Sequence, residues 1–186
     1  MSTLVRCKAC GYIMEASALG ELCPACGVPA KQFEPYDDKV KEGRRRLIDL
    51  HIHPVIVHAP QAFALALLVL AFCVALLAGE AKTMFTNTAR VLGVALPITV
   101  VAAFLSGLFD AKLRFRRTNT PALQRKKLFG ILFFVASLGV AYFALWSPLD
   151  SLWAYLLFGL CSALSLAFGS ILGLLGTPLL VAKFPG

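Results

Sequence analysis

Four long apolar stretches in the second half of the chain place the strongest constraint on its fold. They run over about residues 61–78, 90–109, 128–146 and 151–176. Each holds roughly 18–26 residues, which is enough for a helix to cross a hydrocarbon core of about 30 Å. Because a backbone in lipid must satisfy its own hydrogen bonds, each stretch is predicted to be a helix. We therefore expect an all-α bundle of four transmembrane helices.

The composition agrees with a membrane protein and disfavours several functions. The chain is 59% hydrophobic and 15% charged, with a mean hydropathy of +0.77. No acidic residue lies inside the four apolar stretches, so an ion-coupled transporter or pump is disfavoured. The net charge of +8 comes from basic residues beside apolar segments, where they indicate membrane orientation. No nucleic-acid partner is predicted.

The distribution of basic residues predicts the orientation. The connection DAKLRFRRTNTPALQRKK carries seven Lys/Arg against one acid, and Arg44, Arg45 and Arg46 precede the first stretch. The connections GEAKTMFTNTAR and SPLDS are poor in positive charge. Because positive residues collect on the cytoplasmic side, we expect a multi-pass protein of the inner (cytoplasmic) membrane. Its N-terminal segment and its C-terminus are expected in the cytoplasm, and the start MSTLVRCKAC lacks the apolar core of a secretory signal peptide.

The N-terminal segment contains a metal-binding pattern. It reads CKACGYIMEASALGELCPACG, with twelve residues between two Cys-x-x-Cys pairs: Cys7 and Cys10, then Cys23 and Cys26. Two such turns suit one tetrahedral metal, and the glycine after each pair allows a tight turn. A disulfide framework is not expected in the reducing cytoplasm. We predict that the four cysteines bind one metal, which the ligand set alone leaves open between iron and zinc.

The residues around the cysteines carry a family resemblance. CxxCGY, CPxCG and then Phe33-Glu34 resemble a rubredoxin-type domain, most closely the short version attached to rubrerythrins. Tyr12 and Phe33 match the aromatic positions that shield the metal in that family. Leu22 stands where longer rubredoxins often have an aromatic residue, which predicts a smaller and more accessible site. The resemblance implies a small β-strand and loop domain over residues 1–36 that holds one iron as Fe(Cys)4, with zinc as the alternative.

The predicted metal site favours electron transfer. An iron with four cysteine ligands has no open coordination position, so it suits one-electron transfer better than substrate chemistry. The chain lacks the Glu-x-x-His pairs of a di-iron site. We therefore expect an electron-transfer protein or redox-complex subunit rather than a stand-alone enzyme. It would exchange electrons with a cytoplasmic redox partner or a larger membrane redox complex. The alternative is a zinc-ribbon membrane protein with a structural or assembly role.

A polar and basic tether over residues 37–50 is predicted to join the metal domain to a transmembrane domain over residues 51–186.

All three histidines of the chain, His51, His53 and His58, lie in the stretch HIHPVIVH. HPVIVHAP and SGLFDAKLRF resemble the start of span one and the end of span two in an uncharacterised family of four-helix bacterial membrane proteins. The matching positions are His53, Pro54, His58, Pro60, Gly107 and Asp110.

Three interpretations of the histidines remain open. They could cap the start of a helix as polar residues at the membrane interface, bind a metal or haem b, or hydrogen-bond a quinone. Pro54 and Pro60 make a regular helix doubtful here, because each removes a donor and clashes one turn back. The later spans contain no histidine, so a six-coordinate haem would need a second ligand from a partner or a dimer.

The fourth stretch offers small residues at four-residue spacing, namely Ser165, Gly169 and Gly173. Such a ridge lets helices approach closely. We expect it to pack inside the bundle of this chain, with a homodimer interface as the alternative.

Overall fold

The computed structural model of the chain describes residues 4–116, 118–146 and 151–180. These residues form two compact units, one of residues 4–46 with 177–180 and one of the described residues between 47 and 176. A small three-stranded sheet is followed by four helices that are long and apolar enough to cross a membrane. The predicted fold class is therefore confirmed.

The N-terminal sheet positions the first cysteine. Strands β1 (Leu4–Cys7), β2 (Ile13–Glu15) and β3 (Phe33–Tyr36) pair antiparallel in the order β2-β1-β3. Pro35 lies on edge strand β3, where a residue without an N–H group is tolerated. Because β1 is central and ends at Cys7, the sheet holds this ligand rigidly.

The expected tether is partly helical. Helix α1 (Glu42–Asp49) includes Gly43 in its first turn. Ahead of it, the Asp38 carboxylate accepts hydrogen bonds from the Val40 amide at 3.0 Å and from the Arg45 guanidinium at 2.5 and 2.6 Å. The bond from Arg45 lowers the pKa of Asp38. These contacts order the chain that leads into α1.

The first span begins irregularly, as the prolines indicated. Helix α2 (Ile52–Ile56) is separated from α3 (His58–Leu76) by a turn at Val57. His51 precedes α2 with a φ of 49°, in the left-handed region. Pro60 lies in the first turn of α3, where the missing N–H group has no partner within the helix in any case.

The next helix starts well before the expected second span. Helix α4 (Gly79–Phe115) includes the segment GEAKTMFTNTAR, so the prediction of a loop there is wrong. Within this segment the hydroxyls of Thr83 and Thr88 donate to carbonyl groups one turn back. The connection from α3 is reduced to residues 77–78, because the polar segment keeps its backbone hydrogen bonds as a helix.

The basic connection is also largely helical. Helix α4 continues to Phe115, and α5 (Pro121–Trp146) begins five residues after Arg116, whose φ of 56° ends α4. The final helix is α6 (Leu152–Leu180). Most of the SPLDS connection, residues 147–150, lies outside the described residues, and so does the C-terminal segment 181–186.

Small side chains bring the four long helices close together. A Cβ atom at Gly93 of α4 would lie 2.9 Å from the Ala144 Cβ of α5. One at Gly139 of α5 would lie 2.8 Å from the Cys161 Sγ of α6. The Tyr155 hydroxyl of α6 donates to the Ala71 carbonyl of α3. These contacts close a four-helix arrangement in which α6 packs against α3 and α5.

The outer faces of the helices are apolar. On α4, the side chains of Val91, Ile98 and Leu105 follow one another at seven-residue intervals and are 60–69% exposed. Soluble monomers rarely expose a continuous apolar surface of this kind, whereas lipid solvates it. This surface supports the prediction of membrane-spanning helices.

Two of the three small residues of the α6 ridge pack inside the bundle. Ser165 and Gly169 are buried, and a Cβ at Gly169 would lie 3.4 Å from the Phe133 ring. The Gln61 side-chain amide donates to the Gly169 carbonyl at 3.2 Å and lies 3.4 Å from the Cβ position of Gly173. The interpretation as packing within the chain therefore holds for Ser165 and Gly169, whereas Gly173 is exposed.

Candidate metal centre and the histidines

The two cysteine pairs are held in turns of the same geometry. The Gly11 amide donates to the Cys7 carbonyl at 2.8 Å, and the Gly27 amide donates to the Cys23 carbonyl at 2.9 Å. Both glycines have a φ of +75°, which L side chains rarely adopt. The role predicted for the two glycines is confirmed.

A second pair of hydrogen bonds closes each turn. The Cys7 amide donates to the Tyr12 carbonyl and the Cys23 amide donates to the Val28 carbonyl, both at 2.8 Å. The backbone of each first cysteine is therefore fixed by both its N–H and its C=O group. These bonds direct the thiol of each first cysteine within its turn.

The four sulfur atoms have the spacing of a tetrahedral metal site. Cys7 Sγ lies 3.8 Å from Cys26 Sγ, and Cys10 Sγ lies 3.8 Å from Cys23 Sγ. All four atoms lie within 4.8 Å of one another. A tetrahedron with metal–sulfur bonds of about 2.3 Å has sulfur–sulfur edges of about 3.8 Å. The cluster therefore fits a metal with four thiolate ligands, and its sulfur atoms are too far apart for disulfides.

The thiol pKa values diverge because the groups are packed together. Burial opposes ionisation of Cys23, but hydrogen bonds from the amides of Ala25 and Cys26 outweigh it and lower its pKa to about 7. The Val28 amide favours the Cys26 thiolate, but burial and the neighbouring thiols outweigh it and raise its pKa to about 12. Four thiolates this close need a cation to ionise together, which a metal supplies.

One edge of the cluster is accessible to solvent. Cys7 and Cys23 are buried, Cys10 is half-buried and Cys26 is exposed. Leu22, at the position where an aromatic residue is missing, is 58% exposed. These exposures agree with the more accessible site that the sequence predicts. Cys26 is the most exposed of the four cysteines.

The small sheet and its four-thiol cluster define a rubredoxin-like metal-binding domain. Residues 6–34 match the family described as rubrerythrin, rubredoxin-like domain, so this resemblance is confirmed. The match ends before the helices, and the resemblance of HPVIVHAP and SGLFDAKLRF to a four-helix membrane family stays a prediction. No curated protein and no solved structure matches the chain.

The three histidines do not form a cluster. His51 is exposed and its Nδ1 lies 2.6 Å from the Asp49 carbonyl oxygen, while His58 is exposed at the start of α3. His53 is half-buried and its Nδ1 lies 3.0 Å from the Ser106 hydroxyl oxygen of α4. Among the residues that the structure describes, only the four cysteines group closely enough to share a metal. A tri-histidine site is therefore not formed by this part of the chain.

The partner of His53 could not be found from the sequence. Ser106 lies 53 positions further along, beside Gly107, whose Cβ position is 3.0 Å from the His53 Cε1. The stretches HPVIVHAP and SGLFDAKLRF therefore meet in the fold. Their resemblance to a single family indicated that both belong to one bundle, but a single sequence gives no distance between them.

Proposed function

We propose that the chain is a membrane-anchored one-electron transfer protein with an Fe(Cys)4 centre at the four cysteines. The observation that carries this proposal is the four-thiol cluster with tetrahedral spacing inside a rubredoxin-like domain. Because thiolates fill every coordination position, the metal can change oxidation state but cannot bind a substrate directly. Iron supplies that redox change, and the residues that hold it are Cys7, Cys10, Cys23 and Cys26.

The chain itself tunes and exposes this centre. Backbone amides of Tyr12, Ala25 and Val28 donate to three of the sulfur atoms, and such bonds set the potential of a thiolate-bound iron. The exposed Cys26 is the ligand through which an electron passes to a docked protein. The partner is a cytoplasmic redox protein or a larger membrane redox complex.

We further propose that the four long helices cross the inner membrane with the metal domain and the C-terminus in the cytoplasm. Their length, their apolar outer faces and the basic connection between α4 and α5 support this orientation. A cysteine that replaces Gly43 should resist an impermeant maleimide added to sealed cells. A cysteine that replaces Thr83 should react with the maleimide. The reverse labelling pattern would show that the protein has the opposite orientation.

The membrane-side partner is proposed to be a quinone or a haem near the stretch that contains His51, His53 and His58. A homodimer, if it forms, would use a surface other than the buried part of the α6 ridge, because Ser165 and Gly169 pack within the chain. A zinc-bound structural or assembly role remains the second candidate. The exposure of Leu22 and Tyr12 favours it, because a thinly covered site protects a redox metal poorly.

An absorption spectrum of the aerobically purified protein separates iron from zinc. We expect visible thiolate-to-iron bands that bleach on reduction, together with about one iron per chain. The matched control is the Cys23→Ser variant, which should lack these bands. A colourless protein with one zinc per chain would refute electron transfer, and an intense Soret band would identify haem.

A further inference from the structure

We propose that the Nε2 atom of His53 accepts a hydrogen bond from the hydroxyl group of a membrane hydroquinone. The inference rests on the proposed function, to which it gives a particular ligand and a particular atom. It concerns binding alone, and it commits to one of the three histidines.

The hydrogen bonds of Ser106 fix the state of the imidazole. The Ser106 hydroxyl donates its single proton to the Ala103 carbonyl at 2.9 Å. Toward His53 the same oxygen can then only accept, so Nδ1 must carry the proton and donate across the 3.0 Å contact. With the proton on Nδ1, a neutral ring leaves a lone pair on Nε2. Among the described residues, the side-chain hydrogen bond of His53 is made by Nδ1, and the Ala103 carbonyl is the other group that accepts from the ring.

The surroundings favour the neutral ring. The charged groups that act on His53 are Lys126, Asp110 and Arg114. Asp110 is committed to Arg114 through a 2.9 Å ion pair, and Arg114 also donates to the Ile48 carbonyl at 3.3 Å. The Lys126 ammonium, close to Gly176 on α6, adds a second positive charge that the single carboxylate of Asp110 offsets only in part. Burial and a neighbouring net positive charge both disfavour the doubly protonated, charged form of the imidazole.

A free acceptor of this kind selects its ligand. It lies at the end of an apolar bundle, so a ligand that arrives through lipid must be hydrophobic and must carry a hydroxyl donor. A hydroquinone has both properties, whereas the oxidised quinone offers only acceptors. Haem fits less well, because α4, α5 and α6 contain no histidine and their one methionine, Met84, lies near the opposite end of α4. The Cβ position of Gly107 lies 3.0 Å from Cε1 and 3.4 Å from both ring nitrogens, so the absence of a side chain there lets the ring lie against α4.

The test uses full-length protein that has been loaded with zinc, so that no electron transfer interferes. Protein with ¹⁵N-labelled histidine is titrated with decylubiquinol under anaerobic, reducing conditions. We expect an unprotonated Nε2 resonance from His53, assigned by its loss in His53→Leu, that shifts as the quinol is added. The affinity should fall about tenfold in His53→Leu, as expected for one hydrogen bond.

Two controls isolate the hydrogen bond from partition into the detergent. The dimethyl ether of decylubiquinol has the same apolar body without a donor, and it should leave the Nε2 resonance unchanged. His58→Leu replaces an exposed histidine nearby and should retain the affinity of the original protein. Ser106→Ala should weaken binding, because it frees the ring to place its proton on Nε2.

Several results would overturn the proposal. They are an Nε2 shift of equal size with the ether, an unchanged affinity in His53→Leu, and a protonated Nε2 in the unliganded protein. The NMR measurement stands even if His53→Leu does not fold, because the signals lost in His51→Leu and His58→Leu assign the third histidine of the chain by elimination. If the protein is purified with zinc and still binds the quinol, the quinol site is supported and the iron proposal is refuted. If the protein is purified with iron and the quinol does not shift the Nε2 resonance, the iron proposal is supported and the quinol site is refuted.

Discussion

Replacement of Cys23 by serine is expected to reduce the bound metal from one per chain to nearly none and to unfold the N-terminal sheet. The Cys23 thiol is buried and lies 3.8 Å from Cys10 Sγ, on the inner side of the cluster. A neutral hydroxyl is a poor ligand for a metal that prefers thiolates. Metal binding contributes about 10–16 kcal/mol to the folding of small zinc domains. A three-stranded sheet of this size has little core to replace that contribution. Metal analysis and the thiolate absorption of the purified protein measure the loss.

The chain provides a matched control for this substitution. Cys73 lies in α3, outside the cluster, and it is only half-buried. Cys73→Ser makes the same chemical change and should leave both the metal content and the absorption unchanged. If Cys23→Ser still held one metal per chain tightly, the four-thiol site would be refuted. If Cys73→Ser lost the metal as well, the loss would report general instability and not ligation.

Local chemistry explains why the metal site could be predicted. The five residues of a Cys-x-x-Cys-Gly turn determine its backbone geometry without help from distant residues. Gly11 and Gly27 therefore adopt the same φ. The matched family covers only this part, residues 6–34. The four apolar helices were equally predictable, because lipid requires both their length and their composition.

Features that depend on distant parts of the chain could not be predicted. The segment GEAKTMFTNTAR is short and polar, so its hydropathy does not distinguish a helical extension from a loop. The contact between His53 and Ser106 depends on how α2 packs against α4. This contact decides which histidine has a fixed tautomer, and it therefore separates His53 from His51 and His58.

Replacement of Gly93 by leucine is expected to destabilise the helical bundle by about 1–3 kcal/mol, the usual cost of overpacking a core. The Cβ atom alone would lie 2.9 Å from the Ala144 Cβ and 3.4 Å from the Val140 Cγ1. All three residues are buried between α4 and α5, so these helices must separate to admit the new side chain. Unfolding in mixed micelles, followed by the helical circular dichroism signal, should show an earlier midpoint.

Gly159 allows the same substitution without the steric conflict. It lies within α6, and a Cβ there would meet no atom within 4 Å. Gly159→Leu should leave the midpoint unchanged or raise it slightly, because leucine favours a helix more than glycine does. Equal midpoints for the two variants would contradict the close packing of α4 on α5. A lower midpoint for Gly93→Leu alone would show that small residues, and not apolar burial in general, hold this bundle together.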